Sequence, residues 1–244
     1  MKLSVIIPAY NEENRIPKTL REIDKYLKEQ SYEYEILVVN DGSRDNTTSV
    51  VNELKKEIAN LKLIDNKENH GKGYVVRQGM LTALGEYRLF TDADNSTSID
   101  QVEKMWQWFE QGYDIVIGSR DVKGAKLDPP QPFIRRFIGD IFKLIRKMIC
   151  GMWDLQDTQC GFKCFTAKAA DDIFSLTKID GFSFDVEALV IGRHLGYKIK
   201  EIPVIWKNDL ESKVRLKSAA KMLTQLLQIR MNLLKGVYAK KERK

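Results

Sequence analysis

A chain of 244 residues, 43% of them hydrophobic, can bury the core of one α/β domain, with or without appended helices. Its formal charge of +6 is a C-terminal feature: residues 212–244 hold ten Lys/Arg against one acid, Glu242, which calls for an anionic partner or a solvated tail. Three cysteines without paired Cys-x-x-Cys spacing speak against a zinc site and for a reducing compartment. The apolar start is too short for a signal peptide, and no run of about 18 uncharged apolar residues forms a transmembrane helix.

The apolar run Leu3 to Ile7, ended by Pro8, reads as a central strand. A loop through Asn11-Glu12-Glu13 leads to a helix from about Ile16 to Glu29. Glu35 to Val39 is a second buried strand, ended by Asn40-Asp41-Gly42-Ser43, and a helix starts at Asp45-Asn46-Thr47. Leu61 to Ile64 is a third strand. Asn69-His70-Gly71-Lys72-Gly73 then opens a helix to about Leu84. Tyr87 to Phe90 is a fourth strand, Ile99 to Phe109 a helix and Asp114 to Gly118 a fifth strand. Strands alternating with helices predict βαβ units and a mainly parallel sheet. After a proline break at 128–132, apolar residues recur at helical spacing over Phe133 to Cys150. The opposite face carries Arg135, Arg136, Lys143, Arg146 and Lys147. A last apolar strand spans Ile199 to Ile205, and a second amphipathic pattern runs from Ala219 to Leu234 into the basic tail.

Asp92 and Asp94 follow the fourth strand at once. Side chains two apart on an extended segment share a side, so the pair is able to face one cation where open α/β sheets bind ligands. Carboxylate oxygens suit Mg²⁺ or Mn²⁺. Tyr10 offers a face for stacking a flat ring, Asp41 an acceptor for a base or ribose, and Lys72, between two glycines, a cation for phosphate. Each residue also has an ordinary structural reading, as turn, strand terminator or flexible loop. Their joint position at the carboxyl ends of neighbouring strands favours a nucleotide site. The two basic amphipathic segments suit a membrane interface or packing on the sheet, and the tail tips the reading to the membrane. No zinc, homeodomain-like or aromatic RNA-binding signature supports nucleic acid as the anion.

These motifs together resemble the family 2, GT-A-type glycosyltransferases, nearest to the dolichyl-phosphate β-glucosyltransferases and their polyprenyl-phosphate relatives. The resemblance rests on Pro8-Ala9-Tyr10-Asn11-Glu12, Asn40-Asp41-Gly42-Ser43, Gly71-Lys72-Gly73, Asp92-Ala93-Asp94 and Gly118-Ser119-Arg120. It continues in Asp157-Thr158-Gln159-Cys160-Gly161-Phe162-Lys163, Phe184-Asp185-Val186-Glu187 and Trp206 with Ser212-Lys213. It implies a Rossmann-like, mainly parallel GT-A sheet flanked by helices. The catalytic domain would span 1–211, including an interface helix near 133–150, and 212–244 would form a basic amphipathic helix and tail. Pro8, Ala9, Tyr10, Glu12, Val39, Asp41, Lys72, Asp92 and Ala93 would hold the nucleotide sugar. Asp92 and Asp94 would hold Mg²⁺ or Mn²⁺. Arg120, Arg135, Arg136, Ser212 and Lys213 would gather the lipid phosphate, and Asp94, Arg120, Asp157 and Lys213 would serve the transfer.

The implied reaction is inverting transfer of a hexose, glucose from UDP-glucose foremost, onto a polyprenyl or dolichyl phosphate by an enzyme held peripherally at the cytoplasmic face of a membrane. GDP-mannose is the alternative donor, and Ser96, where mannosyl-transferring relatives offer Gln, weakens it. A soluble acceptor, or a basic binding module with an inactive nucleotide fold, are the remaining readings. Asn40 stands where many relatives have Asp, and the membrane-spanning segment many of them carry is missing.

Overall fold

The computed structural model of the chain describes residues 1–129, 133–207 and 216–239; within its helices, the side chains of 133–138 and 216–220 fall outside the description. Strands β1 (Leu3–Ala9), β2 (Tyr34–Asp41), β3 (Leu61–Asn66), β4 (Tyr87–Thr91) and β5 (Ile115–Ser119) arise largely where the apolar runs lie. With β6 (Lys126–Asp128), β7 (Phe162–Thr166), β8 (Ile199–Pro203) and β9 (Ile205–Lys207) they make two sheets. The large one has the order β3-β2-β1-β4-β7-β5-β8, and β6 pairs with β9 in a small parallel ribbon. The run expected to be one strand from Ile199 to Ile205 is therefore divided at Pro203-Val204 between two sheets.

Pairing is parallel from β3 through β4 and again between β5 and β8, as the βαβ alternation requires. The exception is β7, which lies antiparallel between β4 and β5. Helices α1 (Ile16–Lys28), α2 (Thr47–Leu54), α3 (Lys72–Thr82), α4 (Glu103–Glu110), α6 (Ala167–Phe174) and α7 (Phe184–His194) cover the two faces. Alternation sorts the core. Ile6, Phe90, Ile117 and Phe165 pack with α3, α6 and α7, while Val5, Ile7, Leu89 and Phe162 pack with α1, α2 and α4. Both faces are covered, so β1 and β2 are buried at every position and their middles, Val5 to Ile7 and Ile36 to Val39, read as continuous apolar runs. Pro8 does not end β1; it sits inside the strand opposite Val39, beyond the last register with β4 at Ile6–Phe90, where no ladder bond to β4 is lost.

Two longer helices, α5 (Phe133–Cys150) and α8 (Leu216–Leu234), pack against one another. In α5 the polar face read from sequence is corrected at one position. Arg146 is only 1% exposed, while the apolar Ile141, Leu144 and Met148 face solvent. In α8, Leu226 and Ile229 are buried and Leu223, Leu227, Met231 and Leu234 are exposed. α8 is tied down by Gln225, whose Oε1 accepts the Ser183 N–H at 3.2 Å, and by Ser183 Oγ, which donates to the Met222 carbonyl at 3.3 Å.

Candidate active site

Parallel neighbours end together, so Ala9 lies opposite Asn40 and the loops after β1, β2 and β4 gather at one edge. The first two loops are laced: the Asn11 N–H donates to Ser43 Oγ at 2.9 Å, the Arg44 N–H to Asn11 Oδ1 at 2.8 Å, and the Glu12 N–H to Thr47 Oγ1 at 2.8 Å. Glu12 also accepts a two-pronged contact from Arg15. Pro8, Ala9, Val39 and Ala93 are buried and form floor, Thr19 Oγ1 fixing the Ala93 carbonyl at 2.7 Å; Tyr10 is half-buried at the rim.

The carboxylates after β4 come together for a different reason from strand alternation. The Asn95 N–H closes onto the Asp92 carbonyl at 3.3 Å and Asn95 takes φ 52°, so 92–95 is a turn. Burial, then the charge of Asp92, pushes the Asp94 carboxyl up, while the Ser96 N–H at 2.9 Å pulls it back. Asp92 Oδ1 accepts from Lys72 Nζ at 2.6 Å. Its other oxygen abuts Gly161, where an added Cβ would stand 2.0 Å from Asp92 Oδ2, so the glycine in the Cys160-Gly161-Phe162 motif exists to admit this carboxylate. Burial opposes the charge on Lys72, but Asp92 and then Asp185 outweigh it and raise its pKa.

The glycines flanking Lys72 have a packing reason. Cβ atoms at Gly71 and Gly73 would lie 2.4 and 2.2 Å from the carbonyls of Asp180 and Ile179, and the Gly73 N–H donates to the Asp180 carbonyl at 2.8 Å. Asp41 holds the same loop. Its buried carboxylate accepts the N–H of His70 at 2.7 Å and of Gly71 at 3.0 Å, and the Asn69 amide at 3.0 Å. It therefore faces the Lys72 loop in this conformation, rather than standing open for a base or ribose.

The other side of the site hangs on Arg120, just past β5. Its Nε and Nη2 grip Asp157 at 2.6 and 2.9 Å, and its own N–H adds a third contact at 3.1 Å. Burial works against the Asp157 charge, yet Arg120 holds its carboxyl well below the usual range and is itself raised in turn. The Trp206 ring lies 5.5 Å from the guanidinium carbon. Residues 157–161 thus touch both sides, gripping Arg120 at one end and Asp92 at the other. Between them lies a buried pair that joins two of the motifs: Lys163 Nζ donates to Asp185 Oδ1 at 2.9 Å and to the Cys160 carbonyl, 5.2 Å from the Phe90 ring. Glu187 is structural. It accepts the N–H groups of Lys178 and Ile179 and the Tyr238 hydroxyl at 2.7 Å.

Arg135 and Arg136 belong to α5, with side chains outside the described set, and Ser212 and Lys213 lie outside the described residues. Besides the partner of Lys163, sequence reasoning missed Thr19, for which an isolated threonine in a helix gives no signal. Among the described residues no cluster of three or more His, Cys, Asp or Glu forms a metal cage. Two part-exposed carboxylates, one raised by burial and then by the charge of the other, fit an Mg²⁺- or Mn²⁺-type ion that takes its remaining ligands from water and phosphate.

A family profile described as Glycosyl transferase family 2 matches residues 4–174. A dolichyl-phosphate beta-glucosyltransferase of Trichomonas vaginalis is 40% identical over 238 residues, covering 93% of this chain and 72% of that protein. The human protein of the same name is 33% identical, covering 97% of this chain and 77% of its own length. Among solved structures, mannosyl-3-phosphoglycerate synthase from Rubrobacter xylanophilus superposes with a TM-score of 0.69 at 15% identity, over 99% of this chain and 77% of that one. Glucosyl-3-phosphoglycerate synthase from Mycobacterium tuberculosis, crystallised with Mn²⁺, UDP and glucosyl-3-phosphoglycerate, gives 0.68 at 16% identity over 99% and 81%. These neighbours share the Rossmann-like GT-A architecture.

Proposed function

The chain belongs to glycosyl transferase family 2, and we propose that it moves glucose from UDP-glucose onto dolichyl phosphate or a related polyprenyl phosphate, inverting the anomeric carbon. The observation that carries this reading is identity of 33–40% across nearly the whole chain to proteins named dolichyl-phosphate beta-glucosyltransferase. The donor nucleotide is supported by UDP in the M. tuberculosis neighbour.

Lys72 is the residue best suited to the donor diphosphate. It holds Asp92 by one contact with both side chains part-exposed, so a phosphate oxygen can join or replace that contact. Arg120 is suited to the acceptor phosphate: Asp157 takes Nε and Nη2, and Nη1 has no partner among the described residues. Arg135, Arg136, Ser212 and Lys213 would add to that subsite. Mg²⁺ or Mn²⁺ held by Asp92 and Asp94 would supply neutralisation of charge on the departing diphosphate. A lipid-phosphate oxygen forms the new bond to the anomeric carbon, and the bond to the UDP oxygen breaks with its electron pair leaving on UDP. The phosphate nucleophile is already anionic near neutral pH, so no strong general base is required. Asp185, buried and clamped by Lys163, suits the role of fixed anchor; burial pushes its carboxyl up and Lys163 draws it back. Pre-alignment of the two phosphates is what the scaffold contributes.

The acceptor sits in a membrane, and the surface suits one. Exposed apolar rows run along α5 and α8, which touch, and Lys221 and Arg230 are exposed on α8. No helix of the described residues is long and apolar enough to cross a membrane. We infer peripheral attachment by these two helices, at the cytoplasmic face.

The test is transfer of radiolabelled glucose from UDP-glucose into an organic phase, dependent on polyprenyl phosphate and a divalent cation. Label that stays in the aqueous phase, or faster transfer from GDP-mannose, overturns the assignment.

A further inference from the structure

Arg146 is a basic residue in the middle of an amphipathic helix, and it points inward. Its side chain is 1% exposed, and it has no carboxylate partner among the described residues. Instead, Nη2 donates to two successive backbone carbonyls, Leu155 and Gln156, both at 3.1 Å. The same two peptide groups are held from the opposite side by Glu201 of β8, whose two oxygens accept the N–H groups of Gln156 at 2.8 Å and Asp157 at 2.7 Å. Carbonyls on one side and amides on the other leave the segment 155–157 little freedom. That segment ends in Asp157, which sets the plane of the Arg120 guanidinium through two contacts and accepts the Arg120 backbone N–H as a third. Two more residues of α5 reach the same neighbourhood. Lys143 Nζ lies 2.8 Å from Asp121, adjacent to Arg120, and Lys147 Nζ donates to Gln156 Oε1 at 2.7 Å.

A buried guanidinium is expensive to desolvate and is retained where it meets several acceptors in fixed geometry. Core packing alone is served as well by Met or Leu at that helix position. What an arginine adds is one Nη2 group shared between two carbonyls that lie one and two residues before a site carboxylate, with Nη1 buried and unpartnered among the described residues. We propose that Arg146 is a positioning residue for acceptor phosphate: through the Leu155–Gln156 carbonyls it fixes Asp157, and so Arg120, relative to α5. This rests on the reading of Arg120 as the acceptor-phosphate residue. It makes helix α5 part of the acceptor subsite from its inner face as well as its exposed one.

The experiment is steady-state kinetics of Arg146→Met with UDP-glucose and polyprenyl phosphate varied in turn, at a temperature where circular dichroism shows the variant folded. The expected result is a rise of about tenfold in KM for polyprenyl phosphate, the scale of one hydrogen bond to a charged group, with kcat and KM for UDP-glucose within about twofold. In an Asp157→Asn background the same substitution adds less than about twofold, because the element it positions is already lost. Equal changes in both KM values, or the same increment in both backgrounds, overturn the proposal and leave Arg146 a packing residue. If Arg146→Met does not fold, Arg146→Lys is measured instead; one ammonium restores part of the carbonyl contact, and the rise falls to about threefold. An unchanged KM for polyprenyl phosphate in Arg146→Lys then overturns it. Arg120→Lys separates the two readings. If it raises KM for polyprenyl phosphate and neither Arg146 variant does, only the positioning role falls; if it does not, the acceptor assignment of Arg120 falls and the positioning role with it.

Discussion

Lys72–Asp92 and Arg120–Asp157 are both cation–carboxylate pairs at the site, and they are built in opposite ways. The first is one 2.6 Å contact between side chains 27% and 33% exposed. The second is a three-contact grip on a carboxylate only 2% exposed. A single, half-wet contact is cheap to exchange for a ligand phosphate. A buried fork is costly to disturb, and so serves as a mount that aims whatever part of the arginine is left over. On the proposed assignment, the donor side is therefore made of exchangeable partners, and the acceptor side of fixed ones.

The largest expected effect tests the exchangeable side. Asp94→Ala lowers turnover by about 10³-fold or more, since several kcal/mol of charge stabilisation at the leaving diphosphate depend on it. Thermal unfolding barely moves, because the side chain is half-exposed and its one described partner is the Ser96 N–H. Full turnover with metal chelated would break the donor assignment. Asp92→Asn behaves alike, with a stability change of about 1 kcal/mol or less in denaturant titration.

The fixed side gives the reverse pattern. Asp157→Asn leaves Arg120 desolvated without its anion, and the expected cost is about 3–5 kcal/mol of unfolding free energy. The sign of its pH dependence follows from the depressed Asp157 pKa. The contribution is whole above the unfolded carboxylate value of about 4 and is lost as pH falls from there toward the folded value. Denaturant titrations of wild type and variant should keep a constant gap from pH 8 to about 4 and converge only below it. Burial pushes Glu187 the other way, so Glu187→Gln should narrow its own gap from wild type at higher pH, not lower. A gap for Asp157→Asn that closes already near pH 6 would mean that Arg120 does not hold the carboxylate as the geometry says.

The same contrast decides what could be read from the chain. The proposed donor half was legible because both faces of β1 and β2 are buried, leaving mainly apolar runs that end in the polar residues Asn40 and Asp41, with the buried Ser4–Glu35 pair as the interruption near their starts. Asp92 and Asp94 were legible as a pair, although a turn at Asn95 rather than strand alternation brings them together. The half proposed for the acceptor hides its logic in buried charge. Lys163 interrupts the apolar pattern of β7, and the distant Asp185 together with the Cys160 carbonyl makes a central lysine tolerable, so no periodicity announces an antiparallel strand there. Arg146 misleads likewise: on a helical wheel it belongs to the wet face, and only carbonyls of a later loop account for its burial. Gly71 and Gly73 were noticed for the right loop and a different reason, since their neighbours Ile179 and Asp180 lie about a hundred residues away.

The smallest effect extends the contrast to α8, where neighbouring positions fall on opposite sides of it. Leu226 is fully buried and Leu227 is 52% exposed. Leu226→Glu puts a charge into the packed seam against the sheet-covering helices, and the expected outcome is loss of about 3 kcal/mol or more of stability. Leu227→Glu adds the same charge to the exposed row with Leu223, Met231 and Leu234, where folding has little at stake. If that row lies in a membrane interface, removing one leucine's worth of burial lowers binding to vesicles containing anionic lipid by about tenfold, a shift of roughly 1.5 kcal/mol. Raising salt weakens wild type and Leu227→Glu in parallel, because the basic residues contribute about 1 kcal/mol each through a screened field. Unchanged sedimentation of Leu227→Glu with vesicles, in a variant that unfolds like wild type, would remove α8 from the interface and leave α5 alone to carry the protein to its lipid substrate.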